Sequence, residues 1–307
     1  MPPPESAAPA PPDGQPAPTV EVTSAVLRGW PLPDVRGGKE ERGRVLVVGG
    51  SDRTPGAVLL AGEAALRSGA GKLQIATTSG VAPALAVAVP EAMVRPLPTA
   101  PSGDIDPAAA DVLLELADGC SAVLLGPGAL DVDTFAELLA GVVPHLQGTV
   151  VLDAGALAYV GAHRDALHHL EGDAVLTPNL TELALMLGRD AGDVEDDPLG
   201  AARGLAAEAR AVVSVGGGVS RIVDPAGRAW TDHSGGAGLG VSGSGDVLAG
   251  VVVGLAARGA EAAQAAVWAA HLHGRAGDRL AGAVGPVGYL ARELPAQLPR
   301  VLAEIEV

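Results

Sequence analysis

The chain has 307 residues, a formal net charge of −16 and a sequence pI near 4.7. So acidic a surface repels nucleic acid, while 48% hydrophobic residues suffice to bury a sizeable core. Cys120 is the single cysteine, which excludes an intrachain disulfide, and no apolar run spans the ~18 residues of a membrane helix uninterrupted. Residues 1–18 are rich in Pro and Ala and read as a disordered tail. Their start, Met1-Pro2-Pro3-Pro4-Glu5, lacks the basic and apolar regions of a secretion signal, so the expected location is the cytoplasm. Residues 19–43, with Trp30-Pro31-Leu32-Pro33, read as an extended lead-in, and residues 44–307 as one domain.

Within that domain the pattern alternates. Arg44-Val45-Leu46-Val47-Val48 reads as a buried strand that runs into Gly49-Gly50-Ser51. Pro55-Gly56 opens an Ala/Leu helix that closes at Ser68-Gly69-Ala70-Gly71, and Lys72 to Thr77 is the next strand. Ala122-Val123-Leu124-Leu125 leads into Gly126-Pro127-Gly128, with a helix following around Thr134 to His145. Thr149 to Asp153 is a strand, and Asp153 at its end reads either as lining the site or as a cap for the next helix, with the cap slightly favoured. Ala174-Val175-Leu176 enters Thr177-Pro178-Asn179-Leu180-Thr181-Glu182, a helix start, and Glu195-Asp196-Asp197 reads as a loop. Leu199 to Arg210 is helical, Ala211 to Ser214 is a strand ending at Gly216-Gly217-Gly218, and Arg221 to Thr231 reads as a hairpin. Repeated strand–loop–helix order predicts a doubly wound, mostly parallel sheet with helices on both faces. The turns at 49–51, 126–128, 178–182 and 215–218 should then meet beyond the carboxyl ends of the strands.

The stretch that carries chemistry is Gly240-Val241-Ser242-Gly243-Ser244-Gly245-Asp246, followed by an apolar run to about Arg258. Glycines let backbone N–H groups approach an anion, and the helix start adds unpaired donors and the positive end of the dipole. Asp246 in the first turn is positioned either to accept a proton from a hydroxyl held beside a phosphate or simply to cap the helix. His271 and His273 are two apart, which on a helix points them to different faces and argues against a shared metal.

Six blocks, in order, resemble the ADP-dependent NAD(P)H-hydrate dehydratases of the ribokinase-like superfamily. They are Val48 to Ala57 with Ala65 to Gly71; Val89 to Val94; Leu125 to Gly128; Leu152 to Leu157; Gly243 to Gly250; and His271 to Asp278. The resemblance covers roughly residues 40–285. It implies a three-layer α/β/α sandwich and a repair lyase that returns the hydrated (6S) form of NADH or NADPH to NAD(P)H, with ADP leaving as AMP and phosphate. It further implies Asp246 as the base, with Gly243, Ser244 and Gly245 as the anion hole. Ala57, Gly128, Asn179 and Asp246 would bind the hydrated dinucleotide, while Val215, Gly216, Gly217, Gly218 and Val219, with Gly245, would bind the adenine nucleotide. Mg2+ is implied as cofactor, with Glu182 the one candidate to reach it, through water.

Two positions depart from the family pattern. Asn179 replaces a usual His, and Asn179-x-x-Glu182 resembles the spacing of ribokinase-type vitamin-precursor kinases, the alternative function. Val215 replaces a usual Lys, leaving Arg221 or Lys39 to supply that charge, and it raises a third reading, a nucleotide sensor without catalysis. Residues 1–43 are too few for an epimerase domain, so an NAD(P)H-hydrate epimerase is expected as a separate protein. Oligomeric state stays open, a homo-oligomer included.

Overall fold

The run Arg44–Val48 is apolar on both of its faces, which only a strand covered on both sides can bury. A computed structural model, which describes residues 18–34 and 37–306, places that run inside a ten-stranded sheet, third from one edge and paired on both sides. Val45 and Val47 enter one core, while Leu46 and Val48 enter a second core on the opposite side. The expected tail lies outside the described residues, apart from Pro18.

In chain order the strands are β1 (Thr19–Glu21), β2 (Arg44–Val48), β3 (Lys72–Thr78), β4 (Ala92–Leu97) and β5 (Ala122–Leu125). They continue as β6 (Thr149–Leu152), β7 (Ala174–Leu176), β8 (Val212–Val215), β9 (Ser220–Val223) and β10 (Ala229–Asp232). The helices begin with α1 (Ser24–Arg28), α2 (Gly56–Arg67), α3 (Ala82–Ala88), α4 (Ala110–Ala117), α5 (Val132–Val142) and α6 (Leu157–Ala162). The remainder are α7 (Leu180–Leu187), α8 (Ala191–Asp196), α9 (Pro198–Ala209), α10 (Ser244–Ala257), α11 (Ala262–Ala283) and α12 (Leu298–Glu306).

The sheet order is β1-β10-β9-β8-β7-β6-β5-β2-β3-β4. From β4 to β8 every pairing is parallel, and β8, β9 and β10 form an antiparallel meander. The chain winds outward from β2 to β4, then reverses to the other side of β2 with β5. That reversal opens a crevice beyond the carboxyl ends of β2 and β5, where such sheets bind ligands. Helices α2, α10, α11 and α12 cover one face, and α5, α6, α7 and α9 cover the other.

Three local readings are refined. The lead-in contributes β1, which pairs in parallel with β10, and α1; its Trp30 stacks on Trp230 with ring centroids 5.8 Å apart. The Trp268 indole donates to the Trp30 carbonyl at 2.9 Å, so tertiary contacts fix a segment with weak local signals. β4 was not marked by periodicity, and its Pro96 suits an edge strand, where a missing N–H is harmless. The acidic run expected as a loop is helical through Asp196, and Asp197 caps α9 by accepting the Gly200 N–H at 2.9 Å. No helix among the described residues is long and apolar enough to cross a membrane.

Candidate active site

Helix α10 is buried along nearly its whole length, so sheet and neighbouring helices fix its first turn. A Cβ on Gly250 would fall 2.3 Å from the Ala61 carbonyl oxygen, and one on Gly254 would fall 2.5 Å from that of Ala65. Glycine therefore lets α10 lie directly on α2. Four residues before Gly250 is Asp246, and four before Ala61 is Ala57, so this contact sets one against the other.

At the head of α10, Gly243 adopts φ +90°, a left-handed conformation that favours glycine. The Ser244 N–H donates to the Val241 carbonyl at 3.1 Å, and its hydroxyl lies 3.0 Å from His273 Nε2. Both Ser244 groups are thus committed inside the protein. The N–H groups of Gly243, Gly245 and Asp246 make no hydrogen bond among the described residues, which revises the set of free donors by one member. Gly245 is exposed, and a Cβ there would meet nothing within 4 Å. Asp246 is half-buried, and burial, followed by the charge of Glu182, pushes its carboxyl up to about 6.

The crevice loops meet as the topology requires. The Gly50 N–H donates to the Pro127 carbonyl at 2.7 Å, and the Thr54 hydroxyl donates to the Gly128 carbonyl at 2.6 Å. Gly128, at φ +73°, lies against Ala57, whose Cβ would be 2.8 Å from an added side chain. On the far side of β6, Asn179 bridges to Gly216, and the Gly216 N–H donates to the Pro178 carbonyl at 2.9 Å. The four predicted loops therefore form one row along the carboxyl edge of the sheet.

Asn179 and Glu182 form a capping box on α7. Asn179 Oδ1 accepts the Glu182 N–H at 2.9 Å, and Glu182 Oε2 accepts the Asn179 N–H at 2.8 Å. Their spacing is thus accounted for by helix initiation, although the Glu182 charge still reaches Asp246.

Val215 is wholly buried in β8, so its side chain cannot meet a ligand. Gly216 and Gly218 face open space, and neither has a positive φ, so neither packing nor backbone geometry demands glycine there. Val219 is half-buried at the end of this turn. Of the two cations considered, Lys39 lies against Gly71, before the first residue of β3 and at the opposite end of the sheet. Arg221 pairs with Val215 across β8 and β9, and its Nη1 donates to the Val219 carbonyl at 3.0 Å. Arg221 is the cation beside the glycine turn.

Asp153 corrects the reading as a cap. The 3-10 turn Ala154–Ala156 that it precedes shows no side-chain cap bond, and of that turn only the neighbouring Ala154 N–H reaches its carboxyl. Instead Asp153 is 6% exposed, and the Thr177 hydroxyl donates to its Oδ1 at 2.7 Å. Burial, opposed by that hydrogen bond and reinforced by the charges of Asp246 and Glu182, pushes its carboxyl up to about 7. The only sequence signal was an Asp at a strand terminus on the predicted ligand edge, which fits a cap equally well.

The two histidines diverge as expected. His271 Nδ1 lies 2.6 Å from Asp232 Oδ2, beneath the lead-in, while His273 is buried against Ser244 and held neutral, its pKa lowered to about 4 by burial. No group of three His, Cys, Asp or Glu that could hold a metal occurs among the described residues.

A family model described as NAD(P)H-hydrate dehydratase matches residues 45–300. The chain is 46% identical over 283 residues to the ADP-dependent (S)-NAD(P)H-hydrate dehydratase of Xanthomonas campestris pv. campestris, covering 92% of this chain and 95% of the relative. It is 37% identical over 286 residues, 93% of its own length, to a bifunctional NAD(P)H-hydrate repair enzyme of Moorella thermoacetica, and spans about half, 54%, of that protein. Among solved structures it is similar to the ADP/ATP-dependent NAD(P)H-hydrate dehydratase of Bacillus subtilis co-crystallized with ATP/Mg2+, with TM-score 0.80, 30% identity and coverage of 94% and 99%. A ribokinase-like superfamily protein of Enterococcus faecalis, 23% identical with TM-score 0.80 over 94% and 96% of the chains, shares the fold. A nearly full-length match in sequence and a site assembled at the sheet reversal of a ribokinase-like α/β sandwich agree: this chain belongs to the NAD(P)H-hydrate dehydratase family.

Proposed function

We propose that this chain is an ADP-dependent lyase that dehydrates (6S)-hydrated NADH or NADPH back to NAD(P)H, releasing AMP and phosphate. Asp246 carries the reading: a half-buried carboxyl raised to about 6, on the first turn of a helix whose leading N–H groups are unspent. At neutral pH such a group is mostly ionised yet more basic than an ordinary Asp. It takes the proton of the ring hydroxyl as that oxygen attacks the terminal phosphorus of ADP. The N–H groups of Gly243, Gly245 and Asp246 stabilise the charge on the transferring phosphoryl group, and Ser244 fixes the turn through His273.

Ala57 and Gly128, packed together, border the hydrated dinucleotide with Asn179. The turn from Val215 to Val219 receives ADP. Gly216, Gly217 and Gly218 leave room for it, Val215 contributes main chain alone, and Arg221 supplies the charge. The acidic surroundings of Glu182 suit Mg2+, and the lack of a three-ligand cluster among the described residues implies contact through water. Bound there, Mg2+ would offset the negative charge of the nucleotide phosphates. A dehydratase for the S epimer depends on a separate epimerase to supply it from the other epimer. A cytoplasmic setting, where these cofactors are used, completes the reading.

The test is recovery of the reduced-nicotinamide absorbance from hydrated NADH with Mg2+ and ADP or ATP. Asp246→Asn should lower the rate at least ~100-fold, the usual contribution of a positioned base. No recovery with either nucleotide, or full activity in the variant, overturns the proposal. A vitamin-precursor kinase would instead leave a stable phosphorylated alcohol, and a sensor would bind nucleotide without turnover.

A further inference from the structure

Dehydration through a phosphorylated hydroxyl moves two protons from two different atoms. The hydroxyl proton leaves as oxygen attacks phosphorus. Restoring the ring double bond then breaks the C–O bond, and phosphate departs with that electron pair. A second proton leaves the neighbouring ring carbon, and the electrons of its C–H bond become the new π bond. A carboxyl that has just taken the first proton is not free to take the second until it is discharged.

Asp153 is placed for the second proton. It leaves β6 at the carboxyl edge of the sheet, between the β5 loop with Gly128 and the β7 loop with Thr177. Ala154 after it has φ +47°, a left-handed conformation that costs a non-glycine residue about 1 kcal/mol or more. Gly126 opposite has φ +114°, and a Cβ there would lie 1.9 Å from the Asp153 carbonyl oxygen. A solvent-facing cap needs neither feature, and no side-chain cap bond from Asp153 closes this turn. The strained turn holds a buried carboxyl within range of Asp246 from the helical layer on one side and Glu182 from the layer on the other.

We propose that Asp153 takes the ring-carbon proton in the elimination step, with the Thr177 hydroxyl holding it in position, while Asp246 takes the hydroxyl proton in the phosphoryl transfer. This assignment rests on the dehydratase reading above. The Asp153 carboxyl, raised to about 7, is divided between its two protonation states near neutral pH, so it can accept a proton in one step and release it before the next turnover.

A single-turnover experiment with hydrated NADH, ADP and Mg2+ separates the two steps, with AMP followed by chromatography and NADH by absorbance. Wild-type enzyme should form AMP and NADH in step. Asp153→Asn should form AMP within about 3-fold of the wild-type rate and recover NADH at least ~100-fold more slowly, with a phosphorylated hydrate accumulating. Thr177→Val keeps the carboxyl but removes a hydrogen bond that lowers its pKa. It should leave AMP formation unchanged and move the acid limb of NADH recovery, where Asp153 must lose its proton to act as base, to higher pH. AMP and NADH remaining in step in Asp153→Asn, whether both slow or both fast, overturns the assignment. If that variant does not fold, an unshifted pH profile in Thr177→Val does so. Wild-type enzyme that recovers no NADH overturns the dehydratase reading and this assignment with it.

Discussion

Replacing Gly250 with Ala tests whether the α2–α10 contact positions the chemistry. The added methyl would sit 2.3 Å from the Ala61 carbonyl oxygen and 2.8 Å from its Cα, both main-chain atoms that cannot rotate away. Relieving the contact requires the helices to separate by about 1 Å in a close-packed interior. Overpacking of this kind costs about 1–3 kcal/mol, and the better helix propensity of Ala returns up to about 1 kcal/mol. The net loss is about 1–2 kcal/mol, or about 2–6 °C in Tm for a domain of this size. Gly282 in α11 is the control: a Cβ there meets nothing within 4 Å, so Gly282→Ala should stabilise by about 0.4–1 kcal/mol. Since Asp246 and Ala57 each lie four residues before the wedge, kcat should fall as well, by up to ~100-fold for a 1 Å displacement. Thermal melting and steady-state kinetics on the two variants decide the matter. Gly250→Ala with wild-type Tm and kcat would refute the claim that this contact is tight and sets the site.

Asp153→Asn should stabilise the protein in alkaline solution. A carboxyl raised from 3.8 to about 7 on folding lends stability below 3.8 that is lost as pH climbs through about 7. At about 1.4 kcal/mol per pKa unit, removing the charge should return on the order of 2–4 kcal/mol at pH 8 and little at pH 4. Melting curves at the two pH values check this, and a difference independent of pH would contradict the buried-charge account. Arg221→Ala should raise the KM for ADP about 10-fold, the worth of one hydrogen bond to a charged group, with a much smaller effect on kcat. Lys39→Ala, at the far end of the sheet, should leave that KM unchanged.

The sequence by itself determined whatever depends on neighbours a few residues apart. Alternating strands and helices follow from short apolar runs such as Val45–Val48 and from glycine and proline punctuation. The capping box of Asn179 and Glu182 and the helix start at Ser244–Asp246 are likewise closed within one turn. The convergence of four loops followed from chain topology, because parallel strands place every carboxyl end on one edge. Only the tertiary structure decided matters that join distant residues. β1 exists because β10 and the tryptophans anchor it, and nothing local requires a strand there. Whether Ser244 offers its N–H outward depended on the turn at Val241, and whether Arg221 or Lys39 could replace a missing lysine depended on which end of the sheet each occupied. Asp153 is the sharpest case. An Asp at a strand end can be read as cap or as site residue, and the difference lies in its burial, in Thr177 just past the next strand and in two carboxylates on opposite helical layers. Desolvation and long-range charge are sums over the folded surroundings, so no stretch of sequence contains them.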